Sequence, residues 1–252
     1  MEDVRANMLN QLRDRNVVES IPSSSDESSP LSSAAPDRPS YNSAAYWDER
    51  YKSGKDTDDN FEWIVTYKDL KLVVDEFLEG AAKVLHPGCG GSTLGLEVRR
   101  TFGSRLKIVN VDVSDSCIAR MRELYPEGRW EVVDSCSPPE GEHRGGYDRV
   151  LDKCLLDAFC CGGTEREKRD LVGSYLDHCW GCLGVGGRMM VISFGQPETR
   201  ERYFEGKTYG KREGGWSWER VGGTRTMEVK GEGGKNAMCY VYELRKLEEG
   251  KE

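Results

Sequence analysis

The sequence has 252 residues and a net charge of −8 at neutral pH, which is enough chain for one sizeable domain and a tail. The acidic balance disfavours direct nucleic-acid binding, because a general nucleic-acid binder normally carries a basic stripe. No apolar run approaches the roughly 18 residues of a membrane span. The N-terminus lacks the apolar core of a secretory signal and contains acidic residues, which mitochondrial presequences avoid. We therefore expect a cytoplasmic protein whose nine cysteines are reduced thiols.

The composition divides the chain into four parts. Residues 1–40 are rich in serine and proline and have little to bury, so we predict a disordered tail. Residues 41–80 carry an aromatic and helical segment that we expect to pack as a lid on the domain that follows. Residues 81–246 form the predicted core, and residues 247–252 a charged tail.

The lid segment contains two predicted helices. In the first, Tyr46, Trp47 and Tyr51 fall on about one face of a helical turn. In the second, apolar residues recur at i, i+3, i+4, i+7 and i+8, which is the pattern of an amphipathic helix. These residues are Leu70, Val73, Val74, Phe77 and Leu78. Gly80 is a natural stop for this helix.

From residue 83 the chain alternates between strand and helix patterns. The predicted strands are residues 84–88, 107–114, 129–134, 147–153 and 188–194, and the predicted helices are residues 92–102, 115–125 and 165–183. Gly184 to Gly187 are expected to end the last helix. Such alternation predicts βαβ units and a parallel, doubly wound sheet.

The end of the chain changes character. Residues 216–221 and 236–244 have strand patterns with no helix between them, and residues 224–235 connect them through a pair of glycines. Two such strands predict an antiparallel hairpin that closes a mostly parallel sheet of seven strands. This combination is the Rossmann-like pattern of class I methyltransferases.

The first strand runs into a glycine turn that predicts a nucleotide-like cofactor. Gly88 and Gly90 lie between a strand and a helix, where a backbone without Cβ atoms can approach a ligand closely. Asp112 ends the next strand, 24 residues after Gly88, and such an acid accepts hydrogen bonds from a ribose. NAD, FAD and S-adenosylmethionine all contain a ribose. The tight turn without pyrophosphate spacing and the closing hairpin favour S-adenosylmethionine.

Several motifs resemble, in order and spacing, those of the methyltransferase-like lysine methyltransferases. The motifs are YWDERY and FEW in the lid segment, and VLHPGCGGS, VNVDVS, RWEVVD, VLDKCLLDA and LGVGGRMMVIS in the core. The resemblance covers roughly residues 43–245 and is greatest to the branch that methylates elongation factor 1-alpha. It implies a protein-lysine methyltransferase with a protein substrate, no membrane association and a monomeric state.

The resemblance also implies roles for residues that follow the first three strands. Gly88 and Gly90 would line the methionine end of the cofactor. Asp112 would bind the ribose hydroxyls, and Val113 would pack on the adenine. Asp134–Ser135 would meet the adenine amino group.

Further roles follow for the lid and for the fourth strand. Trp47, Tyr51 and Trp63 match aromatic residues that fold over the cofactor in this family, although simple packing is the alternative for the tryptophans. Lys153 matches a lysine that lies beside the cofactor.

The chain departs from the family pattern at three positions. His86 replaces an aliphatic or acidic residue and could touch the carboxylate of the cofactor, the alternative being a buried core histidine. Gly91 stands where relatives have Asn. Cys154 replaces a glycine, and its Cβ could crowd a turn that needs a positive φ.

A lysine acceptor must lose a proton before it attacks the methyl group, which costs on the order of 4–5 kcal/mol at pH 7. A desolvated channel lowers this cost, and aromatic faces can bind the incoming cation. The candidate catalytic residues are Asp152, Lys153 and Asp157, with a helix cap as the alternative for Asp157. No metal site is predicted. A small-molecule methyltransferase and a non-catalytic scaffold on the same fold remain the alternative functions.

Overall fold

The computed structural model describes residues 40–54, 62–63, 65–204, 218–230 and 236–247. The predicted disordered tail and the charged end therefore lie almost entirely outside the described residues. Within the described residues, no helix is both long and apolar enough to cross a membrane.

Eight strands form one sheet in the described part of the chain, in the order β3-β2-β1-β4-β5-β8-β6, with β7 also paired to β8. The strands are β1 Lys83–Pro87, β2 Lys107–Asp112, β3 Trp130–Val132, β4 Tyr147–Lys153, β5 Leu183–Ser193, β6 Trp218–Arg220, β7 Arg225–Lys230 and β8 Asn236–Lys246. The first five pair in parallel, and β8 pairs antiparallel to its neighbours. The predicted mostly parallel sheet with an antiparallel end is confirmed.

Seven α-helices connect and flank the strands of the described chain. They are α1 Ala44–Lys52, α2 Tyr67–Leu78, α3 Leu94–Phe102, α4 Asp115–Leu124, α5 Leu155–Phe159, α6 Glu165–Cys182 and α7 Pro197–Arg200. Capping boxes begin α2 at Thr66 and α6 at Thr164, which satisfies N–H groups that the first helical turn leaves unpaired. The amphipathic stripe predicted for α2 faces the core, with Val73 half-buried and its other four members buried.

The sheet separates two layers of buried side chains. One layer packs α2 and α3 against the sheet around Leu70, Phe77 and Ile192. The other layer packs α6 against the opposite face of the sheet, around Tyr175 and Val150. Burial on both faces explains why three of the parallel strands each have consecutive apolar residues at the centre: Val84–Leu85 in β1, Ile108–Val109 in β2 and Val150–Leu151 in β4.

Two predicted details differ from the structure. Helix α6 ends at Cys182, and the glycine-containing stretch Gly184 to Gly187 belongs to β5, since Leu183 already pairs with Tyr147. The predicted connection 224–235 contains a strand of its own, β7, which pairs along its length with β8. The sheet therefore has eight strands, because β8 is long enough to pair with β6 at one end and with β7 at the other.

Candidate functional site

A cavity of about 320 Å³ opens at the carboxyl ends of β1, β2 and β4. The strand order reverses between β1 and β4, and ligands of open α/β sheets bind at such a reversal, outside the carboxyl ends of the strands. The wall contains ten residues that the sequence assigned to the cofactor. They are Trp47, Tyr51, Trp63, Gly88, Gly90, Asp112, Val113, Asp134, Ser135 and Lys153.

The glycine turn after β1 needs residues without a Cβ atom. Gly88 and Gly90 have φ angles of +57° and +51°, a region that costs an L-residue roughly 1–2 kcal/mol. A Cβ on Gly88 would come within 2.6 Å of the Leu155 side chain, and one on Gly90 would come within 2.6 Å of the Tyr51 hydroxyl. The turn is therefore packed closely between α1 and α5 at the cavity.

Asp112 ends β2 as a buried carboxylate. Its two oxygens accept the backbone N–H groups of Gly90 and Ser114, each at 3.0 Å. Burial raises the pKa of Asp112, and the same N–H groups act in the opposite direction. A carboxylate has about four lone-pair positions, so each oxygen keeps an acceptor position for a ligand hydroxyl.

The residues after β3 form another part of the cavity wall. Asp134 and the buried Ser135 line the cavity, as does Val113 just after β2. The Asp134 carboxylate accepts the N–H of Cys136 at 2.9 Å and the hydroxyl of Ser137 at 2.7 Å. Asp134 therefore shapes its own loop as well as lining the cavity.

Aromatic rings from the lid segment cover the cavity. Trp47 packs edge-on against Trp63 at 5.4 Å between centroids and lies 6.4 Å from the ring of Tyr51. Tyr41 is fully buried beside Trp47 and Trp63, at 5.9 and 6.1 Å. The Trp47 indole N–H donates to the carbonyl of Tyr41 at 2.7 Å, which fixes the orientation of the indole.

Helix α1 is fastened to the loop that follows β2. Asp48 accepts the Ser114 hydroxyl at 2.8 Å and pairs with Lys52 at 2.6 Å. The hydrogen bonds from Lys52 and Ser114 hold the pKa of Asp48 well below its usual range. Since Ser114 also caps α4, one contact joins the aromatic lid to the Asp112 loop.

Lys153 lies at the end of β4 with its ammonium group buried. The Nζ atom donates to the Glu62 carboxylate at 3.0 Å and to the carbonyl oxygens of Trp63 and Val65 at 3.2 and 3.4 Å. An ammonium group has three N–H donors, and these three acceptors match them. All three N–H groups of the Lys153 ammonium thus donate to the lid segment. These contacts do not favour Lys153 as a catalytic base.

The structure gives Asp152 a different position from the one predicted. Asp152 is fully buried and does not line the cavity; its oxygens accept the N–H groups of Leu155 and Leu156 and the Tyr175 hydroxyl. Burial raises the pKa of Asp152 to about 7, which its hydrogen bonds oppose. The contacts with Leu155 and Leu156 cap the start of α5. Cys154, the residue at the N-cap position, makes no side-chain cap of its own.

Asp157 is also buried away from the cavity wall. Its carboxylate binds the Arg200 guanidinium at 3.0 Å and accepts hydrogen bonds from the Ser193 hydroxyl and the Phe194 N–H. It ties the loop after β5 to α5. Cys154, not Asp157, occupies the N-cap position of that helix, so the alternative interpretation of Asp157 as its cap is wrong.

Two departures from the family pattern can now be placed. Cys154 has a φ of +68°, the one positive value of a non-glycine residue among the described positions, so the expected crowding at this turn is real. His86 is buried and bonds through Nδ1 to Asn110 at 2.9 Å. Burial lowers the pKa of His86 to about 4. His86 does not line the cavity, which supports the core interpretation.

Sequence reasoning missed several residues of the site. Glu62 is the middle residue of the FEW motif, and the sequence analysis gives it no role, although a charged residue between two aromatic residues is a signal. Tyr41 and Asn42 precede the predicted helix, and Phe159 and Leu171 lie on α5 and α6; all four line the cavity. Their contribution depends on how the helices pack, which no local pattern reports.

The parallel sheet with an antiparallel end and a cavity at its switch point is the architecture of class I S-adenosylmethionine-dependent methyltransferases. No protein-family model matches the chain. A solved 1,6-didemethyltoxoflavin-N1-methyltransferase from Burkholderia thailandensis, with bound S-adenosylhomocysteine, superposes with a TM-score of 0.53 at 16% identity. The match covers 88% of this chain and 94% of that one.

Two kinds of curated protein are similar to this chain in sequence. The chain is 29% identical to the EEF1A lysine methyltransferase 4 of Bos taurus over 178 residues, or 68% of each protein. It is 32% identical to the human eEF1A lysine and N-terminal methyltransferase over 165 residues, which are 62% of this chain and 22% of that longer protein. The predicted family resemblance, fold class and cofactor, S-adenosylmethionine, are confirmed.

Proposed function

We propose that this chain is a protein-lysine N-methyltransferase that acts on translation elongation factor 1-alpha in the cytoplasm. The observation that carries the proposal is the similarity to two kinds of relative, both named for methylation of that factor. Trp47, Tyr51 and Trp63, to which the resemblance assigns a place over the cofactor, line the cavity, which supports the same proposal.

The residues of the cavity fit S-adenosylmethionine. The buried Asp112 carboxylate keeps acceptor positions for two ribose hydroxyls, and the exposed edge of Val113 offers an apolar surface for the adenine. Gly88 and Gly90 line the cavity at the end of β1, where the methionine end would lie against the backbone. Ser135 and the loop shaped by Asp134 would contact the adenine edge.

The cofactor would supply an activated methyl group on a sulfonium, and the protein would supply alignment and a dry environment. Leu155, Ala158, Phe159 and Leu171 give the wall formed by α5 and α6 an apolar character. Such a wall disfavours the ammonium form of an incoming lysine and so lowers its pKa. The faces of the lid aromatics can still attract the cation as it enters.

Proton removal by desolvation agrees with the side chains found near the cavity. Lys153 is occupied by Glu62 and two carbonyl oxygens, and Asp152 and Asp157 are engaged in structural contacts. We therefore propose that the acceptor amine loses its proton on entering the apolar part of the cavity, with water as the final proton acceptor.

The test is a transfer assay with isotopically labelled S-adenosylmethionine. The protein is incubated with purified elongation factor 1-alpha and, separately, with a cell lysate. We expect label in the elongation-factor band, and methylated lysine in its tryptic peptides by mass spectrometry. Label confined to the small-molecule fraction would support the small-molecule alternative. Cofactor binding without transfer to either fraction would support the scaffold.

A further inference from the structure

Glu62 is not among the cavity-lining residues, yet its carboxylate joins three separate elements. One oxygen accepts the N–H and the hydroxyl of Thr93 at 2.6 and 2.8 Å. The other accepts the Ser92 hydroxyl at 2.8 Å and pairs with Lys153 at 3.0 Å. The lid segment, the start of α3 and the end of β4 thus meet at one side chain.

The first of these contacts lies at the start of α3. Thr93 occupies the N-cap position and makes no side-chain cap, and the Ser92 hydroxyl accepts the N–H of Leu94 at 3.1 Å. Glu62 accepts the N–H of Thr93 from a distant part of the chain, and its negative charge lies at the positive end of the helix. The glycine turn leads directly into this helix, so the position of Glu62 and the shape of the turn depend on each other.

The second contact is a desolvated ion pair. The side chains of Lys153 and Glu62 are 2% and 11% exposed. Burial acts to raise the pKa of Glu62, but the charge of Lys153 and the hydroxyls of Thr93 and Ser92 outweigh it, and the pKa is lowered. Removing one partner would leave a buried charge unpaired, whereas removing both leaves none.

The next residue places the aromatic lid. Trp63 follows Glu62 directly, lines the cavity and contacts the rings of Trp47 and Tyr41. Lys153 also binds the carbonyl oxygen of Trp63. The stretch that carries Trp63 is therefore clamped to β4 on the same side as the cofactor cavity.

We propose that the Glu62–Lys153 pair is a positioning clamp that sets the affinity for the cofactor. It acts through Trp63 on the lid and through Thr93 on the glycine turn. Glu62 is a positioning residue, since it acts through other residues. This inference rests on the proposed cofactor site, and it adds Glu62, which does not line the cavity, as a determinant of affinity.

The test compares Glu62→Gln, Lys153→Gln and the double variant by calorimetry with S-adenosylhomocysteine. We expect Glu62→Gln to raise the Kd by about tenfold or more, since it weakens a charged, multiply bonded anchor. The double variant recovers thermal stability relative to the single variants, because it carries no unpaired buried charge, but its Kd stays raised. Glu76→Gln removes a similar pair with Arg225 on the exposed surface and leaves the Kd unchanged.

Two further measurements separate the clamp from a merely structural role. Turnover assays should show a raised KM for S-adenosylmethionine, with smaller changes in kcat and in the KM for the acceptor. Thr93→Val removes one hydroxyl contact with Glu62 and leaves the pair intact, so this variant folds; we expect a Kd about threefold higher, equivalent to one weakened hydrogen bond.

The outcomes are distinct. A folded double variant with the wild-type Kd overturns the clamp, and so does an unchanged Kd in folded Glu62→Gln, which would leave Lys153 acting alone. A wild-type chain that does not bind S-adenosylhomocysteine overturns the cofactor site itself. Normal binding without methylation of elongation factor 1-alpha contradicts only the proposed substrate.

Discussion

Replacing Asp112 by Asn tests the cofactor site most directly. The carboxylate accepts the Gly90 and Ser114 N–H groups, one on each oxygen, so an amide must turn its NH₂ toward one of these donors. The variant also loses one acceptor for a ribose hydroxyl. Hydrogen bonds to a charged group contribute about 1.5–3 kcal/mol each. Only the ribose contact forms on binding, so the affinity should fall by about 1.5–3 kcal/mol, or a roughly 10- to 150-fold higher Kd. The loss of the backbone contact lowers the stability of the variant instead.

Calorimetric titration with S-adenosylhomocysteine measures this Kd, and circular dichroism with thermal unfolding shows whether the variant is folded. Asp115→Asn is the matched control, because Asp115 is an exposed residue at the start of α4 and undergoes the same chemical change three positions away. A folded Asp112→Asn variant whose Kd lies within about threefold of the control would refute the assignment of Asp112 to the ribose.

Three further predictions concern stability. His86 has a pKa of about 4 in the folded chain and about 6.5 in the unfolded chain. Between these pH values the unfolded chain binds one more proton, so the free energy of unfolding falls by up to about 3 kcal/mol as the pH drops from 6.5 to 4. Urea titrations should show a flatter pH dependence in His86→Gln. Asp157→Asn leaves the charge of the buried Arg200 without its carboxylate and should lower the free energy of unfolding, measured in urea, by about 3–5 kcal/mol. A stable Asp157→Asn/Arg200→Gln double variant that keeps its activity would show that Asp157 is structural. A stable but inactive double variant would support a catalytic role for Asp157. Gly90→Ala should lose at least about 1–2 kcal/mol because of its positive φ, and the added Cβ would also come within 2.6 Å of the Tyr51 hydroxyl. An unchanged melting temperature would contradict this description of the turn.

The carboxylates Asp152 and Asp157 show why a local sequence pattern does not decide where a side chain points. The sequence places both residues near the end of β4, beside the cavity. In the structure neither lines the cavity. Asp152, in β4, contacts Tyr175 on α6, and Asp157, in α5, contacts Arg200 on α7. Those partners are 23 and 43 residues away along the chain, so their contacts depend on helix packing.

Periodicity and turn chemistry in the sequence alone determined the parallel strands, the glycine turn and Asp112 at the end of β2. These features are local, because a strand is apolar when both faces are buried and a positive φ demands glycine. Only the tertiary structure decided that Glu62 accepts the Thr93 N–H at the start of α3 and pairs with Lys153. Contacts between distant segments are fixed by three-dimensional packing, which leaves no periodic signal in either segment.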